Sequence, residues 1–231
     1  MTAAVTPMVT LHVWRVPARD VAAAVAAGRL AGRRLRRRSD VRFAKVLGTA
    51  SARFVPWAAT PRRWAILTCW TASPDLTSFG WWDEHCDERA VLSLRTLSVR
   101  GTWDGCAPFV ADAGARWDGR IVVLTRATLR PLAAVAFYRA VSPVARELRA
   151  AAGCRTAFGV GEAPLLRQGT ISIWDSADAM SDFAYRSPQH RRVVDVTPSR
   201  GWYREELFAR FALLHTEGVV DGTPLVSAEA A

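Results

Sequence analysis

With 231 residues, half of them hydrophobic, the chain is long enough to bury a substantial core, as one large domain or two small ones. Its longest apolar runs, such as residues 21–27 and 121–124, fall far short of a membrane span, and the amino terminus (MTAAVTPMVTLHVW) lacks the basic stretch and long apolar segment of a secretion signal, so a cytoplasmic protein is expected. The net charge of +10 invites nucleic acid, yet Lys45 is the only lysine; an excess made almost wholly of arginine in an Ala-, Gly- and Val-rich chain points to codon bias, and no nucleic-acid module is recognisable.

Residues 11–16 (LHVWRV) alternate as a strand that Pro17 ends, and residues 20–38 offer a capping Asp, an Ala-rich body and an Arg-rich end suited to a helix dipole. The basic run at 29–38 (RLAGRRLRRR) reads as a solvated helix end, or as a docking face for an acidic protein such as a ferredoxin or for an anionic membrane surface. Strands follow at 41–50 and 64–70, a helix start at Ser73–Pro74 leads to Phe79, Trp81, Trp82 and His85, and residues 91–103 form a long alternating strand. The order is β-α-β-β-α-β.

After a Gly-, Pro- and Asp-rich joint the order repeats. Residues 121–129 are a strand, Pro131 opens a helix to about Ala152, and strands follow at 156–164 and 169–174. Phe79 lies nine residues after Trp70, as Phe183 lies nine after Trp174, and residues 203–218 match the long strand of the first half. Internal duplication of a ferredoxin-like unit follows. Each unit's sheet is covered by helices on one face only, so the bare faces bury each other. The expected fold is α+β: duplicated ferredoxin-like (βαββαβ) units forming a pseudo-dimeric α/β barrel, with halves at 9–104 and 121–218, a linker at 105–120 and a loose tail at 219–231.

The stretch FAYRSPQH at 183–190 carries the sharpest local signal. Ser187 caps free N–H groups and Pro188 takes the first helical position, so His190 falls in the first turn of a new helix. The positive end of the dipole there favours neutral imidazole, the form that ligates metal and serves as an axial ligand for haem iron. The bland alternative is a hydrogen-bonded structural histidine. His85 sits at nearly the same place in the first half, one residue out of step; His12 and His215 are isolated on strands. Cys69, Cys86, Cys106 and Cys154 are scattered, without a zinc or iron–sulfur pattern, and read as reduced thiols.

Several segments in one order resemble the spheroidene monooxygenase family, the carotenoid ketolases: TRATL around Thr125, FGVGEAP followed by Gln168, Gly169, Ser172 and Trp174, FAYR and HRR from Phe183, and GWYREELFARFALL from Gly201. The resemblance runs from about Val9 to Gly218 and is densest after Ile121. It implies a haem-containing monooxygenase that uses molecular oxygen and electrons from a ferredoxin on a small or lipophilic, apolar organic substrate. It places His190 in the axial role on haem b.

A haem also needs an apolar slot and cations for its propionates. Phe158, Ile173, Trp174, Phe183 and Phe211 are slot candidates, each equally readable as barrel core, and Arg186, Arg191 and Arg192 are propionate candidates, equally readable as solvated charges. Arg210 and Arg126 stand mid-strand in apolar stretches and are candidates for the distal catalytic side, with Glu205 and Glu206 as salt partners of Arg210. No G-x-S-x-G elbow, H-E-x-x-H, phosphate loop or dinucleotide turn is present. Another haem reaction on this scaffold (N-oxygenation or aldoxime-type dehydration), a non-catalytic haem carrier, a peripheral membrane contact and a homo-oligomer stay open.

Overall fold

The computed structural model describes residues 7–51, 53, 58–71, 74, 79–112, 114, 116–163, 166–222 and 224–225. Eight strands form one closed antiparallel barrel: β1 (Met8–Arg15), β2 (Val41–Ala50), β3 (Ala59–Trp70), β4 (Glu88–Gly101), β5 (Ile121–Leu129), β6 (Cys154–Ala163), β7 (Arg167–Trp174) and β8 (Tyr203–Gly218). Around it lie α1 (Val21–Leu35), α2 (Trp81–His85), α3 (Ala134–Ala150), α4 (Ala177–Arg186) and α5 (Pro188–Arg200). The order around the barrel is β1-β3-β2-β6-β7-β5-β8-β4, so each half keeps the ferredoxin-like order 4-1-3-2 and the halves meet at β2·β6 and β4·β8.

The β4·β8 seam carries the pseudo-two-fold relation in its ends. Gly101 (φ +84°) abuts the Glu206 carbonyl oxygen, and Gly218 (φ +80°) abuts that of Arg89; a Cβ on either would stand 2.1 Å from the oxygen. Both seam ends therefore demand glycine, for the positive φ and for the close backbone approach. Side-chain alternation then separates two compartments. Val9, Leu11, Val13, Leu67, Val122, Leu124, Ile171, Leu207 and their neighbours fill the barrel interior. The outward residues are covered by helices: Trp14 and Ile66 pack with Trp82 of α2 beneath α1 and α2, and Ile121, Val123 and Trp174 pack with Met180 of α4 beneath α3 and α4.

The structure adds to one expectation and corrects two. The stretch between the halves is packed: Phe109 is buried in the barrel interior against Phe43 and Phe211, and Trp103 bridges to Cys106. The tail is anchored as far as it is described, because Val220 and Leu225 join the same interior cluster and Asp221 pairs with Arg15 and Arg63. Small polar spacing in sequence hid two plugs of a barrel end. The second helix of the first half is described only as Trp81–His85; Ser73, where a helix start was expected, lies outside the described residues, and Pro74 is not helical.

Candidate functional site

The break between α4 and α5 forms for the local reasons visible in the sequence. Ser187 takes extended backbone (φ −67°, ψ 117°), its hydroxyl accepts from the His190 N–H at 3.1 Å, and Pro188 opens the new helix. The same hydroxyl donates to the Glu147 carboxylate on α3, which also accepts from the Gln189 N–H at 3.3 Å. Three helices are thus tied at the turn that carries His190.

His190 is half-buried, and its Nδ1 lies 3.0 Å from the Ala184 carbonyl oxygen. A carbonyl only accepts, so Nδ1 carries the proton and the lone pair sits on Nε2. Among the described residues Nε2 has no hydrogen-bond partner. The ring packs on Phe183 (centroids 5.2 Å), which packs on Trp174 (5.4 Å), so an aromatic chain runs from the sheet to this imidazole.

The sheet face under these helices differs sharply from its counterpart in the first half. With Trp70 set against Trp174, the row Val46–Ile66–His12 corresponds to Gly159–Thr170–Thr125. His12 and Ile66 are fully buried and Val46 packs against Gly28 of α1, whereas Thr125 is exposed although its strand neighbours are buried. Trp14 in the next row corresponds to Ala127. Bulky side chains close the first face; glycine, alanine and threonine leave the second shallow. Trp174 under α4 closes one end of it, and at the other Tyr138 of α3 donates to Gln168 at 2.7 Å, its phenol pushed up to about 12 by burial.

Arg210 belongs to this outer face, in the row Arg210–Val123–Ser172–Ala157, and its Nε donates to Ser98 Oγ at 2.8 Å. The structure therefore joins His190, Phe183 and Trp174 in contact, while Arg210 shares only the outer sheet face, two strands away from β7 and bonded to Ser98. Phe158, Ile173 and Phe211 are a correction: they lie in the barrel interior, on the other side of the sheet, because their strand parity is opposite to that of Trp174 and Arg210. Arg186 and Arg191 stand exposed near the His190 turn, Arg186 pairing with Asp182 at 3.2 Å, and Arg192 is exposed beside them.

Arg126 also points into the barrel. It is 2% exposed, pairs with Glu205, lies 3.7 Å from both Glu162 and Asp104, and sits 5.4 Å from the Trp103 ring. Lys45 donates to Glu162 at 2.7 Å and pairs with Asp104. Glu205 is thus the partner of Arg126 and not of Arg210. Burial raises the Glu205 carboxyl, but hydrogen bonds from the Gly105 N–H, Arg126 and Thr102 outweigh it and hold the group at about 2. This network is a polar plug inside the barrel. Glu147 is a site residue that sequence reading missed, since its partners lie on a distant element, and Gln168, read only as part of the family resemblance, is placed at the site by Tyr138.

The elements define a duplicated ferredoxin-like barrel with one open, helix-covered face and one imidazole beside it. No family model matches the chain. It is 34% identical over 187 residues to the spheroidene monooxygenase of Rhodobacter capsulatus, covering 77% of this chain and 78% of that protein. It is 43% identical over 135 residues to that of Rubrivivax gelatinosus, covering 58% of this chain and 51% of that one. The chain belongs to the spheroidene monooxygenase family, an oxygenase family, although it spans only about half the length of the Rubrivivax relative. Among solved structures, an aldoxime dehydratase in complex with butyraldoxime shares the fold (TM-score 0.61, 14% identity, 93% of this chain and 82% of that one), as does a second aldoxime dehydratase (TM-score 0.53, 12% identity, 90% and 81%).

Proposed function

We propose that this protein is a haem-dependent monooxygenase that inserts oxygen from O2 into an apolar organic substrate of the carotenoid kind, with electrons from a ferredoxin-type donor. The observation that carries this reading is the His190 imidazole, its proton fixed on Nδ1 by the Ala184 carbonyl and its Nε2 lone pair free, beside a sheet face of small residues. A single neutral imidazole is a complete protein donor set for haem, whose macrocycle supplies the other nitrogens, and a backbone acceptor on Nδ1 is the usual device for orienting such a ligand.

The residues present fit that group. Nε2 of His190 would hold the iron, Thr125, Thr170, Gly159 and Ala157 would floor the slot, Trp174 and Phe183 would wall it, and Arg186 and Arg191 would meet the propionates. Bound haem supplies oxygen activation and electron transfer. The chain's own share is to keep the imidazole aimed through the Ala184 carbonyl and to offer the Arg210 guanidinium as a cationic hydrogen-bond donor on the same sheet face. The names of the relatives support the oxygenase part and the lipophilic substrate.

The test is an optical titration of the purified protein with haemin, followed by turnover of a carotenoid substrate under oxygen-18 with a reductant. A stoichiometric Soret band that shifts or disappears in His190→Ala, and label in the product, are expected. An unchanged band in that variant would move ligation elsewhere, and an unlabelled product would replace oxygenation with another haem reaction such as dehydration.

A further inference from the structure

From Val21 to Ser39 the chain has no acidic residue, and Arg29, Arg33, Arg34, Arg36, Arg37 and Arg38 are all exposed on α1 and the turn after it. Arg38 pairs with Asp40 at 2.7 Å; the other five have no acidic partner among the described residues. The contrast with α3 is direct, because Glu147 sits there between Arg146 and Arg149. Long arginine side chains on a helix are therefore left with uncompensated charge on one face only.

The same face is apolar between its charges. Val25 and Leu30 are 41% and 47% exposed. Beneath Leu30 and Arg34 a cavity of about 290 Å³ opens between α1 and α2, lined by Leu30, Ala31, Arg34, Trp70, Trp81 and Trp82 among others. Leu30 and Arg34 stand four residues apart on one stripe of α1 and Arg38 follows in the turn beyond its end, so together they form the rim, with cations above and indole rings below. An acidic protein surface would satisfy the arginines but would leave this aromatic cavity unused. A molecule with a phosphate at one end and a hydrocarbon chain at the other satisfies both.

We propose that the arginine face of α1 and the adjoining tryptophan-lined cavity dock the protein on an anionic phospholipid leaflet, with phosphates on Arg33, Arg34 and Arg37 and an acyl chain entering between Leu30 and Trp81. Arginine with tryptophan beside exposed leucine is the interfacial pattern, guanidinium at the headgroups and ring at the acyl boundary. The inference stands apart from the cofactor reading, since it uses the other half of the barrel.

The test is co-sedimentation of the full chain with vesicles of phosphatidylcholine alone and of phosphatidylcholine mixed with phosphatidylglycerol. Binding only to the mixed vesicles is expected, and its loss in roughly 1 M salt, where screening shortens to about 3 Å. The variant Arg33→Gln/Arg34→Gln/Arg37→Gln should bind on the order of a hundredfold more weakly, each arginine contributing about fivefold, with unchanged circular dichroism because the three side chains are exposed. Brominated acyl chains should quench the fluorescence of the wild type more than that of Trp81→Phe. Absence of vesicle binding, equal binding to both vesicle types, full binding by the triple variant or equal quenching of Trp81→Phe would each overturn the proposal. Capture by immobilised polyglutamate without vesicle binding would assign the face to an acidic protein instead.

Discussion

The hydroxyl of Ser187 and the carboxylate of Glu147 join α5 to α3 at the turn where His190 leaves the helix break. The same carboxylate accepts from the Gln189 N–H, so the first turn of α5 is fixed from outside as well as by its own cap. Helix position and imidazole position are thereby one mechanical unit.

Removing that tie should be read first as stability and then as ligation. Ser187→Ala should cost about 1 kcal/mol through the lost cap and weaken haemin binding in the optical titration, whereas Ser187→Asp, which still caps but sets a second carboxylate against Glu147, should restore neither the thermal midpoint nor the link. Glu147→Gln should keep an acceptor for the Gln189 N–H and perturb less than Glu147→Ala. Equal haemin affinity in all four proteins would show that the tie does not position His190.

The shallow face makes a steric prediction. Thr125→Phe places on the second-half sheet the bulk that His12 supplies on the first, and the exposed position leaves room for it without a core clash. The thermal midpoint should hold or rise while haemin stoichiometry falls. Undiminished stoichiometry would place the porphyrin somewhere else.

Arg126 and Arg210 should separate cleanly in experiment. Arg126→Met leaves Glu205 and Glu162 inside the barrel without their shared cation, which by analogy with broken buried pairs costs about 3–5 kcal/mol. Chemical denaturation should detect that loss. Arg210→Ala gives up one hydrogen bond to Ser98 on the helix-covered face, so its stability change should be small and its effect confined to turnover.

Acid lability follows from two depressed groups. His12 is held at about 3, by burial first and by Arg89 second, against an ordinary value of 6.5, with Asp83 opposing; neither ring nitrogen has a partner among the described residues. Both states are neutral above pH 6.5; below it the unfolded chain takes the proton and the folded one does not, so stability falls as pH drops. Glu205, held at about 2 against 4.5, adds a second loss from pH 4.5 downward. Thermal midpoints measured from pH 7 to 3 should fall in the wild type and stay flatter in His12→Phe, while Glu205→Gln should flatten only the range below pH 4.5.

Strand and helix order was legible because each element carries its own period: β2 and β5 begin and end where alternation and glycine placed them, and the Ser187–Pro188 break is written in adjacent residues. The duplication was legible from the shared spacing of Trp70 to Phe79 and Trp174 to Phe183. Sequence alone therefore determined the two halves and the histidine in the first turn of a capped helix, because these depend on contacts within a few residues. It could not tell Trp174 from Ile173, or Arg210 from Arg126, since neighbouring strand residues of similar chemistry face opposite compartments and only register assigns them. Tertiary structure decided that Phe109 and Leu225 plug the barrel, that Arg126 is neutralised by acids from three other segments, and that one sheet face stays open. Each of those outcomes is a sum over residues far apart in the chain, and closure of the barrel is what brings them within reach.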